Sequence, residues 1–136
     1  MAGLEGVIVV DLTQYAAGPA ASRLLGELGA TVIKVEPPYG DAQRTQGPGF
    51  GCEQTDMEDP TIDLNNTNKN FVSINLKNEE GMKFMKKLLA DADIFVNNLR
   101  DKALNKMGLD YETLHKEFPT LIWAQMRGYG EYGPEK

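Results

Sequence analysis

One cysteine and one histidine are all the thiol and imidazole that the 136 residues contain. The lone Cys52 excludes an intramolecular disulfide framework, and together with His115 it excludes a zinc site built from Cys and His. Serine is scarce as well: Ser22 and Ser73 lie outside any Gly-x-Ser-x-Gly elbow, so a serine triad completed by the single histidine is not expected. Basic residues are in deficit, with 14 Lys and Arg against 20 Asp and Glu and a net charge of −6. That balance argues against nonspecific nucleic-acid or anionic-membrane binding, so an anionic small molecule would need a local basic pocket. No apolar run approaches the roughly 20 residues of a membrane span, and the N-terminus lacks the basic region of a signal peptide. The expectation is a cytoplasmic chain with no nucleic-acid or membrane partner and no metal.

What is present is alternation. Residues 7–12 form a continuous apolar, β-branched run that suits a parallel strand covered on both faces. After a short loop, Pro19 suits a first helical position, and Gly29 ends the helix it opens. A second strand over 32–36 stops at Pro37 and Pro38, neither of which can donate to a ladder. Residues 37–70 lack helical periodicity and read as one long irregular connection. Order resumes with a third strand over 71–76 and a helix over 78–90, with Asn78 as N-cap and Met82, Met85, Leu88 and Leu89 on one apolar face. A fourth strand over 93–98, short helices over 102–107 and 111–117, and a fifth strand over 120–126 follow, and 128–136 reads as a loop. Such alternation predicts a doubly wound, mostly parallel, Rossmann-like α/β sheet whose ligands bind at the carboxyl ends of the strands.

Several residues sit where chemistry is expected. Gln14 to Pro19 are mostly small residues at a helix N-terminus, where free N–H groups favour anions, although an ordinary βα turn has the same composition. Glu36 ends the second strand, but no Gly-x-Gly-x-x-Gly follows the first, so a nicotinamide cofactor is disfavoured and Glu36 reads as a solvated carboxylate. Asn97, Asn98 and Arg100 would bring amides and a guanidinium to the mouth of the sheet or simply shape a turn. Arg44, Lys69, Lys77 and Lys106 would form a phosphate pocket if the fold gathers them, and scattered surface charges if it does not. Cys52 has no neighbouring base, and His115 lies on a polar helix and reads as exposed.

Taken together, Gly3-Leu4-Glu5-Gly6-Val7 leading into Asp11-Leu12-Thr13, Ala17-Gly18-Pro19, Leu28-Gly29-Ala30-Thr31-Val32-Ile33-Lys34-Val35-Glu36-Pro37, Asn68-Lys69, Leu76-Lys77 with Glu80-Gly81, Ala92-Asp93-Ile94, Met107-Gly108-Leu109-Asp110-Tyr111 and Gly128-Tyr129-Gly130 resemble the family III CoA-transferases. Asp63-Leu64-Asn65-Asn66, Asn68-Lys69 and the stretch 108–114 are most similar to the clostridial branch, which moves CoA between an unsaturated acyl group and an (R)-2-hydroxy acid in amino-acid fermentation.

The resemblance implies that 1–136 is the N-terminal, CoA-binding α/β portion of a longer fold in which two chains interlock as a homodimer. Its substrates would be an acyl-CoA and a carboxylic acid. By matching positions, Gln14, Ala16 and Ala17 would approach the CoA thioester, Ile74 and Lys77 the nucleotide end, and Asn98, Leu99, Lys106 and Met107 the adenine and phosphates. Gln14 and Ala16 stand where some members have histidine and glutamine, Pro37 where some have a basic residue, and Lys106 where an arginine is common. The family's nucleophile is an aspartate in a Gly-Asp motif beyond Lys136, so the chain alone would be inactive. It would then be a CoA-binding portion, a non-catalytic nucleotide binder, or a structural partner of a separate C-terminal part. Apolar surface left open by a missing remainder should make it self-associate, and a monodisperse monomer in light scattering would contradict this.

Overall fold

The computed structural model describes residues 3–55, 58–130 and 133–134. The elements follow in the order β1 (Ile8–Leu12), α1 (Ala17–Glu27), β2 (Thr31–Glu36), α2 (Pro60–Asn66), β3 (Lys69–Ser73), α3 (Glu79–Ala90), β4 (Ile94–Asn97), α4 (Asp101–Met107), α5 (Tyr111–Glu117) and β5 (Ile122–Gln125). All strand pairings are parallel, in the order β3-β2-β1-β4-β5. This is the doubly wound α/β sheet that the alternation predicts. The chain moves outward from β1 in one direction through β2 and β3, then returns to the other side of β1 with β4. The loops after β1 and β4 therefore diverge and leave a crevice at the carboxyl edge.

The two-residue period of a strand assigns the faces. Val10, Leu12, Val35 and Phe95 point into a core completed by Met85 and Leu89 of α3, Leu104 of α4, Leu114 of α5, and Leu109 and Leu121. Val9, Val32 and Val96 occupy the opposite face with Ala30 and Leu25. That second face turns polar toward the carboxyl edge, because the register sets Asp11 beside Lys34 and Lys69 beside Val32. No helix among the described residues is long and apolar enough to cross a membrane.

Local signals set most of the helix ends. Asn78 accepts a 2.7 Å hydrogen bond from Gly81 N–H at the start of α3, and Asp110 caps α5 through Thr113 N–H at 3.0 Å. α1 closes in a Schellman turn, with Gly29 at φ 104° donating to Gly26 O and Ala30 donating to Leu25 O.

Three expectations change. The connection 37–70 is not wholly irregular: it holds two 3-10 turns, Ala42–Thr45 and Gly47–Phe50, and the helix α2. α2 is seven residues long with Thr61, Ile62 and Asn66 buried, too short and too polar to show a periodic stripe; Asp59 and Pro60 start it. β3 begins at Lys69 and ends at Ser73, so Ile74 and Leu76 lie past the ladder. Ile74 N–H still donates to Glu36 O at 2.8 Å before the chain turns away toward α3. Finally, α1 starts at Ala17, which puts Pro19 at the third helical residue, still within the first turn where its missing N–H costs nothing. Of the terminal loop 128–136, residues 131–132 and 135–136 lie outside the described residues.

Gly81 marks a close approach of chain to chain: a Cβ there would drive into the carbonyl oxygen of Asn75, whereas a Cβ on Gly49 would meet nothing. Gly81→Ala should lower unfolding stability by about 2 kcal/mol and Gly49→Ala should leave it nearly unchanged, both read by urea denaturation.

Candidate functional site

The crevice between β1 and β4 opens into a cavity of about 370 Å³. Leu12 and Gln14 come to it from β1 and its loop, Pro37, Pro38 and Tyr39 from the loop after β2, Ile74 to Lys77 from the segment after β3, and Leu99 and Met107 from the loop after β4 and from α4. A second hollow of about 640 Å³ adjoins it, sharing Leu76, Lys77 and Met107 and adding Met82, Ala103 and Lys106, with Glu79 on its rim. The two form a trough with apolar walls and two exposed lysines, Lys77 and Lys106. Neither lysine is engaged in an ion pair among the described residues. Such a trough suits an elongated ligand with a flat or apolar part and anionic groups.

The loop from β1 into α1 borders this cavity and is tightly held. Asp11 Oδ1 accepts from Thr13 N–H at 2.9 Å, and Lys34 Nζ donates to Thr13 O at 2.8 Å. Asn98 makes a reciprocal pair with the backbone of Gln14, its Oδ1 accepting from Gln14 N–H at 2.9 Å and its Nδ2 donating to Gln14 O at 2.8 Å. Asp41 Oδ1 accepts from Tyr15 N–H at 3.1 Å. Tyr15 has φ 64°, in the left-handed region. α1 then begins at exposed Ala16 and Ala17 with no side-chain cap. Gly18 has to be glycine, since a Cβ there would lie 2.5 Å from Thr13 Cβ.

Beneath the loop lies a cluster of buried charge. Asp11 is fully buried in mid-strand, and its Oδ2 accepts from Ser22 Oγ at 2.6 Å and from Lys69 Nζ at 2.9 Å. Lys69 Nζ spends its other two protons on Pro19 O and Asn66 Oδ1, both at 2.8 Å, so all three donors are satisfied. Burial holds the Lys69 ammonium below the ordinary lysine range, and the charge and hydrogen bond of Asp11 oppose that shift. Lys34, also fully buried, pairs with Asp41 Oδ2 at 3.0 Å. Asp41 N–H donates to Glu36 Oε2, and Arg44 grips both oxygens of Glu36 at 2.9 Å, which keeps the guanidinium more firmly protonated than usual.

Of the residues singled out in the sequence, Gln14, Ile74, Lys77, Leu99 and Met107 line the cavity, and Lys106 joins Lys77 and Met107 in the adjoining hollow. Asn98 sits beside Gln14 through its amide. Ala16 and Ala17 are exposed at the start of α1 and line neither hollow. Arg44 and Lys69 are not gathered with the other two basic residues, because Glu36 and Asp11 hold them elsewhere. Glu36 is not solvated: it is 7% exposed and ion-paired. His115 is exposed and stacks on Tyr111 with centroids 5.1 Å apart, and Cys52 is half-buried in the connection after β2. Among the described residues no cluster of His, Cys, Asp and Glu is arranged to hold a metal.

Sequence reasoning passed over Asp11, Lys34, Asp41 and Asn66. The available signal was charge inside the strand runs: Asp11 is the one charged residue within the run 7–12, and Lys34 stands between Ile33 and Val35. A charge buried on a covered strand must find a partner.

The model of CoA-transferase family III matches residues 4–136. The (R)-2-hydroxy-4-methylpentanoate CoA-transferase of Clostridioides difficile is 48% identical over 133 residues, covering 98% of this chain and 33% of that protein. The cinnamoyl-CoA:phenyllactate CoA-transferase of Clostridium sporogenes is also 48% identical, over 97% of this chain and 32% of its own length. The chain thus spans about a third of these relatives. Among solved structures, a CaiB/BaiF family protein from Brucella suis superposes with a TM-score of 0.87 at 38% identity, covering 96% of this chain and 34% of that one. A hypothetical protein of Mycobacterium tuberculosis gives 0.84 at 34%, covering 99% and 36%.

Because Lys69 binds its proton less tightly when folded than at its ordinary value of 10.5, stability should rise with pH just below 10.5 and be flat at lower pH as far as this group is concerned. Lys69→Met removes that rise. It also leaves Asp11 buried without its cation, and should cost about 3–5 kcal/mol at neutral pH in urea denaturation.

Proposed function

The chain belongs to CoA-transferase family III, and from that premise we propose that it is the CoA-binding portion of an enzyme that moves CoA from an acyl-CoA to a carboxylic acid. The observation that carries the reading is the trough at the carboxyl edge, which pairs apolar walls with two unpaired lysines. CoA has matching parts: a planar adenine, a flexible pantetheine arm and several phosphates. In this reading Lys77 and Lys106 meet phosphate oxygens, and Ile74, Leu99 and Met107 pack against the base and the arm. Gln14, Ala16 and Ala17 lie toward the thioester, where the uncapped start of α1 offers N–H groups to a developing oxyanion. Lys106 supplies charge but not the planar fork of an arginine, so its phosphate contact is a point charge.

The acceptor is a carboxylic acid of the 2-hydroxy class, a choice supported by the names of the two clostridial relatives. The chemistry runs through an aspartate beyond this chain. Its carboxylate attacks the thioester carbonyl and expels CoA thiolate, giving a mixed anhydride. The thiolate then attacks the aspartyl carbonyl, releasing the first acid and leaving an enzyme thioester. The incoming carboxylate attacks that thioester to form a second anhydride and frees the thiolate. The thiolate takes the new acyl group and restores the aspartate. The complete enzyme works as a homodimer in the cytoplasm.

Calorimetric titration of the chain with CoA tests the binding half of this reading. Binding is expected, and Lys77→Glu or Lys106→Glu should each weaken it by roughly threefold to tenfold at low ionic strength, with the effect shrinking as salt rises. No heat of binding, or variants that match the parent, would overturn it. Mass-spectrometric exchange between an acyl-CoA and a 2-hydroxy acid should show no turnover by the chain alone; turnover would mean that the nucleophile lies within it.

A further inference from the structure

The turn between β1 and α1 is shaped by side chains that come from outside it. Five backbone groups of Thr13, Gln14 and Tyr15 are bonded to Asp11, Lys34, Asp41 and Asn98, which reach them from β1, β2, the loop after β2 and the loop after β4. Tyr15 pays for this with a left-handed backbone, a conformation that a bulky residue keeps only when its surroundings over-determine it.

The bonds from Asp41 to Tyr15 N–H and from Asn98 to Gln14 O grip opposite edges of the peptide unit that leads into that strained residue. Asp41 is itself aimed: its Oδ2 takes Lys34 Nζ at 3.0 Å, its Oδ1 also takes Gln43 N–H at 2.9 Å, and its own N–H is fixed on Glu36. The Asn98 amide spends one donor and one lone pair on Gln14, leaving one of each for a ligand. Burying Lys34 and Asp41 together gains little stability over an apolar pair of the same volume. What the pair does accomplish is to fix the direction of the Asp41 carboxylate toward Tyr15.

We propose that Asp41, aimed by Lys34, and Asn98 are positioning residues that hold Gln14 and Tyr15 in the left-handed turn before any ligand arrives, so that CoA meets a preformed wall instead of ordering it on binding. The proposal rests on the CoA reading above for its ligand, and on the turn alone for its geometry. Preorganisation of this kind acts on affinity by removing the entropy that a mobile loop would lose.

Two matched variants of the full chain separate positioning from bulk stability. Lys34→Met with Asp41→Asn removes both charges but keeps the oxygen that accepts from Tyr15. Lys34→Met with Asp41→Ala removes that oxygen as well. Amide hydrogen exchange followed by NMR without ligand should show Tyr15 exchanging about tenfold faster in the second than in the first. Calorimetry with CoA should show roughly fivefold weaker binding in the second, with matching circular dichroism. Asn98→Ala, which disturbs no buried charge and so guards against a folding failure, should speed Gln14 exchange about tenfold in the ligand-free chain. A direct contact between Asn98 and ligand would leave that rate unchanged. Equal exchange rates and equal affinities across the matched pair would overturn positioning while leaving the CoA reading intact. Altered exchange in a chain that does not bind CoA would overturn the CoA reading and leave the held turn standing.

Discussion

The burial of two ion pairs under the first turn of α1 is the constraint around which the carboxyl edge is organised. Lys69 with Asp11 and Lys34 with Asp41 are removed from water on the face of the sheet that α1 covers. A charge in that position is tolerable only if each of its hydrogen-bonding directions is used. The fold meets that demand by bringing Ser22 and the Pro19 carbonyl from α1, Asn66 from α2 and Thr13 from the loop to the same place. The position of α1, the docking of α2 and the path of the connection after β2 are therefore parts of one polar cluster. This explains why the second face of the sheet carries a small apolar core, whereas the first is filled by α3, α4 and α5.

The same cluster gives the mouth of the sheet its character. A loop tied at Thr13, Gln14 and Tyr15 from β1, β2 and the loops after β2 and β4 is a rigid wall, and the opposite wall is made of Ile74, Leu76, Leu99 and Met107. Rigidity on one side and apolar packing on the other suit a ligand that is long, partly flat and anionic, with affinity coming from contact area and orientation from a few polar groups. The lysines open to such a ligand are those the cluster leaves free. Lys34 and Lys69 are consumed within the fold, while Lys77 and Lys106 remain on the rim. Position relative to the sheet, and not residue type, divides these four into structural and available charge.

Much of the architecture is legible in the order of the residues. The runs ending at Leu12, Glu36 and Asn98 announced parallel strands, Asn78 announced the start of α3, and Gly29 the end of α1. Where the sequence misled, the cause was a lack of local pattern. α2 has seven residues and no apolar stripe, so nothing in 60–66 separates it from the loop around it. The apolar residues Ile74 and Leu76 extend the alternation of β3, yet they leave the ladder and become cavity lining. Of the site, the small-residue loop after β1 and the amide after β4 could be marked as lying at the mouth. That they are bonded to each other could not.

By itself, then, the sequence determined the strands and the longer helices, their order and the family, because hydrophobic period, caps and motif spacing are properties of neighbouring residues. Tertiary structure alone decided which charges are structural. Asp11 and Lys69 stand 58 positions apart and Lys34 and Asp41 on either side of a strand end. Their pairing follows from strand order and register, which place Lys34 beside Asp11 and carry Lys69 onto the same face. Strand order and register are set by the burial of the whole sheet, a property that no local stretch of residues contains.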